Sequence, residues 1–190
     1  MPDRLRIWIQ MAVFVAIAVA LGWVFLAIPN IELVTATFFL AGYFLGPMRG
    51  MGVAVVGEFL YSLLNPLGAA APPLMAAQVF SMVLVALWGG FSGLWAEKMK
   101  STIRILYFGF SGLLLTALFD FFTTLSFLVF AGLNQKSFIA SVIYGLGFYV
   151  LHIVSNFFIF LTVVPLSIQF LQKHGRPFIV EPGPAEGIES

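Results

Sequence analysis

The sequence predicts an all-α integral membrane protein: six transmembrane helices in one bundle, with both termini cytoplasmic. Three observations carry this. The 190-residue chain is 61% hydrophobic and 9% charged, with a mean hydropathy of +1.05, far from the soluble average. Several apolar runs approach the ~20 residues that a helix needs to cross a bilayer. The few basic residues fall almost entirely on one side of the implied topology. Residues 1–171 read as a single membrane domain, and 172–190 as a polar cytoplasmic tail expected to be disordered.

The first span covers about Ile7–Ile28, after the short basic head MPDRLR. Small residues at 16–20 resemble a signal-peptide cleavage site, but the apolar run continues through GWVFLAI without a polar region. The segment is therefore read as a retained helix. Within it Ala12, Ala16 and Ala20 recur every four residues, with Gly22 just beyond. A small-residue stripe lets another helix approach closely in lipid; it fits equally well with packing inside the same bundle. Pro29-Asn30 breaks the helix. The second span, about Glu32–Leu45, and the third, about Met51–Leu64, are short. Between them GPMRG turns the chain.

The third span, the break NPLGAAAPP (65–73) and the fourth span, about Leu74–Trp95, form a polar-loaded hairpin. Glu58, Tyr61, Ser62 and Asn65 share one helical face, and Gln78 begins the return. A carboxylate at membrane depth costs roughly 2.5–3.5 kcal/mol on insertion scales and usually faces protein or a wet cavity. The 65–73 segment suits a loop folded into the membrane layer, and also a plain surface turn. After the polar break AEKMKSTIR, a fifth span covers about Ile105–Ala131 and a sixth about Phe138–Leu171. Thr116, Asp120, Thr123 and Thr124 are spaced for one face of the fifth. Ser141, Tyr144, Phe148, His152 and Asn156 make a stripe on the sixth, with Tyr149 beside it.

Of the nine lysines and arginines, Lys136 alone lies opposite the termini. The other eight are Arg4, Arg6, Arg49, Lys98, Lys100, Arg104, Lys173 and Arg176. The positive-inside rule then places the termini in the cytoplasm. The intramembrane polar groups gather in the outer half of this topology, which suggests an outward-facing pocket more than a continuous pore. Candidate substrate-binding residues are Asn30, Glu32, Glu58, Tyr61, Asn65, Gln78, Asp120, Tyr144, Tyr149, His152 and Asn156. Each has a plainer reading: His152 as a satisfied core histidine, Asn156 as interhelical glue. Glu58 and Asp120 resist it, because no lysine or arginine lies in the inner layers to pair with them. The absence of cysteine excludes disulfides, thiol catalysis and Cys-ligated metals. No metal site and no catalytic residue are expected.

The run PNIELVTATFFLAGYFLGPMRG followed by GEFLYSLLNPLG, the alanine stripe AVFVAIAVA and the six-span plan resemble the substrate-binding S components of energy-coupling factor (ECF) transporters. The resemblance covers residues 7–171. It implies a non-enzymatic binding subunit in the cell membrane that captures a vitamin-like nutrient from outside. Ala12, Ala16 and Ala20 would dock onto a coupling transmembrane subunit, and two ATPase subunits would use ATP as the only cofactor. The residues favour a small heterocyclic ligand, neutral or cationic, since the outer half offers three carboxylates and Lys136 as its base. No nucleic-acid partner is expected.

Two other functions have sequence features of their own. GFSG at 90–93 and 109–112, with His152, resembles the rhomboid protease arrangement. However, helix rise puts Ser111 and His152 roughly 10 Å apart in depth, too far for a nucleophile and its base. A stand-alone small transporter or channel would fit the composition, though no internal repeat is evident. The chain also has no ATP-binding loop.

Overall fold

The computed structural model describes residues 3–28, 30–132 and 134–174. Among them the chain forms six α-helices: α1 (Asp3–Val24), α2 (Val34–Leu45), α3 (Pro47–Leu63), α4 (Pro72–Trp95), α5 (Ser101–Ala131) and α6 (Gln135–His174). One 3₁₀ turn, Ala96–Lys98, joins α4 to α5. Four helices, α1, α4, α5 and α6, are long and apolar enough to cross a membrane. The other two are short, as their sequence runs imply. At 12 and 17 residues, α2 and α3 rise about 18 and 26 Å, less than the ~30 Å hydrocarbon layer. The expected disordered tail lies outside the described residues, except that α6 continues to His174.

The short α2 is the centre of the bundle. Every residue from Val34 to Tyr43 is buried, as expected for a helix that is apolar all round. Its neighbours are α1, α3, α4 and α6. Phe39 stacks edge-on against Phe160 of α6 and Phe108 of α5, with ring centroids at 5.1 and 5.8 Å. On its other side α2 meets α4 backbone to backbone. A Cβ on Gly42 would lie 1.9 Å from the Ala86 carbonyl oxygen, and one on Gly89 2.1 Å from that of Phe39. Only glycine permits such an approach, which is how helices gain contact when lipid supplies no hydrophobic drive.

The shortness of α2 has a consequence for its entry loop. The α1–α2 connection packs beside Ser155 and Asn156 of α6. These positions lie roughly 30 Å along α6 from its start at Gln135, counting helix rise. The connection is therefore recessed into the bundle instead of standing at its tip. Of the two readings open for the 65–73 segment, the structure takes the surface turn: the segment is mostly exposed. Gly68 N donates to Asn65 O, and Ala70 N to Ser62 O, at 2.9 and 3.0 Å.

Candidate functional site

The recessed loop roofs a cavity of about 210 Å³. Its wall contains Asn30 and Glu32 from the loop, Glu58 and Tyr61 from α3, and Gln78 and Met82 from α4; Phe119 and His152 complete it from α5 and α6. Six of the predicted binding residues thus meet at one place. Gly22 of α1 also lines it, and a Cβ there would fall 2.5 Å from the Tyr61 ring. The glycine is what lets that ring close the cavity.

Glu32 owes its position to α2. Its Oε2 accepts from the Thr35 backbone N–H at 2.9 Å, capping the first turn where donors are otherwise unpaired. Its Oε1 accepts from the Thr35 hydroxyl and from Asn156 Nδ2 at 3.4 Å. Across the bundle His152 joins two acids. Nδ1 donates to Asp120 Oδ1 at 2.8 Å, and Nε2 faces Glu32 Oε1 at 3.8 Å. Phe119 holds the ring edge-on, with centroids 5.7 Å apart. The sequence reading counted only lysine and arginine as partners for the carboxylates; the partner of Asp120 and Glu32 is this histidine.

Glu58 is different. It is 1% exposed. Its Oε1 shares the Ser62 hydroxyl with Gln78 Oε1, at 3.2 and 3.0 Å. Its Oε2 has no hydrogen-bond partner among the described residues, and neither has Asn30 Nδ2. Unpaired buried polar atoms cost free energy, and both of these residues line the cavity.

The remaining candidates lie elsewhere. Asn65 caps its own turn, accepting from Leu67 N at 2.9 Å. Asn156, fully buried, supports Glu32 from behind the cavity. Asp120 stands behind His152 and does not line the cavity. Tyr144 and Tyr149 line a separate, larger cleft of about 830 Å³ between the far halves of α5 and α6. There Tyr149 pairs with the Thr124 hydroxyl at 2.6 Å, while Tyr144 is 85% exposed. Residues missed by the sequence reading are Thr35, Met82, Phe119 and Ser155. Ser155 donates to the Asn30 carbonyl at 2.6 Å and so ties the roof to α6. Its only sequence signal was its place beside the stripe that ends in Asn156.

Among the described residues no group of three or more acidic, histidine or cysteine side chains is arranged to hold a metal. Ser111 accepts from Trp88 Nε1 at 3.0 Å, and Ser92 pairs with the Tyr107 hydroxyl at 2.7 Å. His152 is engaged by the two acids. On the outside of the bundle Ala12, Ala16 and Ala20 are exposed while Ala18 is fully buried. The three exposed alanines line a groove of about 620 Å³ between α1 and α3, with Trp8 and Trp23 at its ends.

No protein-family model, curated protein or solved structure matches this chain.

Proposed function

We propose that this chain is the membrane-embedded substrate-binding subunit of an ECF-type importer, lying in the cell membrane and crossing it six times. It captures a small heterocyclic nutrient from outside and passes it through a coupling subunit driven by two ATPase subunits. The observation that carries this reading is the roofed cavity. It concentrates ionisable groups at membrane depth, where each is costly and by default functional. Two of its polar atoms are left for a ligand to satisfy. At about 210 Å³ it is smaller than a typical drug-sized pocket, which suits a compact ring or head group. The short α2 and α3 would cross where the layer is locally thinned or completed by the loops at their ends.

The exposed alanine stripe supports the partner half of the reading. Internal packing would have buried Ala12, Ala16 and Ala20; instead they line an open groove, where small residues would let another helix approach closely. Purification of the tagged chain from its native membrane should bring down an ATPase. Ala16→Trp should block helix approach, abolish that assembly and leave ligand binding intact. Substrate transport by the purified chain alone in liposomes would overturn the proposal in favour of a self-sufficient transporter.

A further inference from the structure

Of the three carboxylates in the cluster, two are consumed by the fold. Glu32 caps α2 and accepts from Thr35 and Asn156. Asp120 holds His152 and does not line the cavity. Glu58 alone places a buried, unpartnered oxygen on a residue of the cavity wall. The second unpartnered atom on that wall, Asn30 Nδ2, is a donor. Asn30 is held at a φ of 60°, a left-handed conformation that Asn and Asp adopt more readily than other side chains. Its carbonyl is fixed by Ser155. Two residues of the wall thus carry one carboxyl oxygen and one amide nitrogen without partners.

We propose that the cavity recognises its ligand by a paired donor–acceptor edge: an N–H of the ligand donates to Glu58 Oε2 while an adjacent carbonyl or ring nitrogen accepts from Asn30 Nδ2. This rests on the reading of the cavity as the ligand site. The ligand class is a compact carboxamide, lactam or aminopyrimidine type of nitrogen compound. A carboxylate of the same shape is disfavoured, since it has no N–H to give and leaves Glu58 Oε2 unpaired. Phe119 and Tyr61 offer ring faces or edges to a planar body.

Benzamide, benzoate and benzamidine are near-isosteric probes of this rule. They carry a donor and an acceptor, two acceptors, and donors alone. Titration of the detergent-purified chain should show benzamide binding about tenfold or more tightly than benzoate, the difference between a buried oxygen that gains a hydrogen bond and one left unpaired. Glu58→Gln should narrow that difference. Asn30→Asp, which keeps the left-handed backbone, should move the preference from benzamide to benzamidine, because both wall atoms then accept. Each variant is checked for native helicity, and Asn30→Asp carries the test if Glu58→Gln does not fold. Equal or tighter binding of benzoate, an unchanged order of preference in both variants, or no binding of any probe at millimolar concentration overturns the proposal. An ATPase captured by a chain that fails these titrations leaves the importer reading standing. Successful titrations with no ATPase partner do the reverse.

Discussion

His152 spans the bundle between Asp120 Oδ1 at 2.8 Å and Glu32 Oε1 at 3.8 Å, and is 7% exposed. Its residue type was legible in the sequence, but its pairing was not. Asp120 and His152 are 32 positions apart, and no periodicity within α5 or α6 reports which faces meet. Glu58 was easier to find, because a lone acid on an apolar helix shows in any window. Removing one partner of a buried charged cluster costs more than the cluster contributes, since the others stay buried and uncompensated. His152→Ala should therefore destabilise the protein by about 3–5 kcal/mol, seen as a lower midpoint of thermal unfolding in detergent. Asp120→Asn, which keeps an acceptor for Nδ1, should cost less. A His152→Ala midpoint equal to the wild type's would mean that the two carboxylates need no imidazole to stay buried.

The element that organises the site is α2, because its shortness draws the α1–α2 connection down to the level of Ser155 and Asn156. The sequence revealed a short apolar segment after Pro29-Asn30, and the helices were placed within a few residues. It offered 65–73, with its prolines, as either a recessed loop or a surface turn, and gave no sign that the α1–α2 connection is the recessed one. Prolines mark where a helix stops; how deep the break sits depends on helix length and on which neighbour supplies hydrogen bonds. The α1–α2 connection closes turns of its own and is also tied to α6 through the Asn30 carbonyl and Glu32, while the bonds of the 65–73 turn run within itself and to Ser62 of α3. The same limit misplaced Tyr144 and Tyr149, which share a stripe with His152 but lie on the stretch of α6 beyond the roofed cavity. Ser155→Ala should remove the tie between α6 and the Asn30 carbonyl, worth about 1 kcal/mol. Amide exchange in residues 25–33 should rise while exchange in α2 stays slow, because the buried α2 ladder does not depend on it. Ligand affinity should fall by a few fold, since the roof must then be ordered on binding. Unchanged exchange in the loop would show that packing alone holds it.

Across the whole molecule the four long apolar helices were legible from composition, and the orientation rests on charge. Lys98, Lys100 and Arg104 cluster around the α4–α5 junction, while Lys136 stands at the α5–α6 turn, separated from them by the 31 residues of α5. That length, about 46 Å by helix rise, exceeds a bilayer's hydrocarbon core, so a membrane-crossing α5 would put its two ends on opposite faces. The positive-inside rule would then put the richer end in the cytoplasm. The chain contains no cysteine, so single cysteines can be read without background. Ser137 is a poor place for one: its hydroxyl donates to Ala131 O and accepts from Asn134 Nδ2, both at 3.0 Å. Lys136 is exposed, as is Ser101 at the other end of α5. A membrane-impermeant thiol reagent added to intact cells should label Lys136→Cys. Ser101→Cys should react only after the membrane is opened. The opposite pattern would invert the orientation and turn the roofed cavity toward the cytoplasm, and a nutrient-capturing role would go with it. Labelling of both in intact cells would show that α5 does not cross at all.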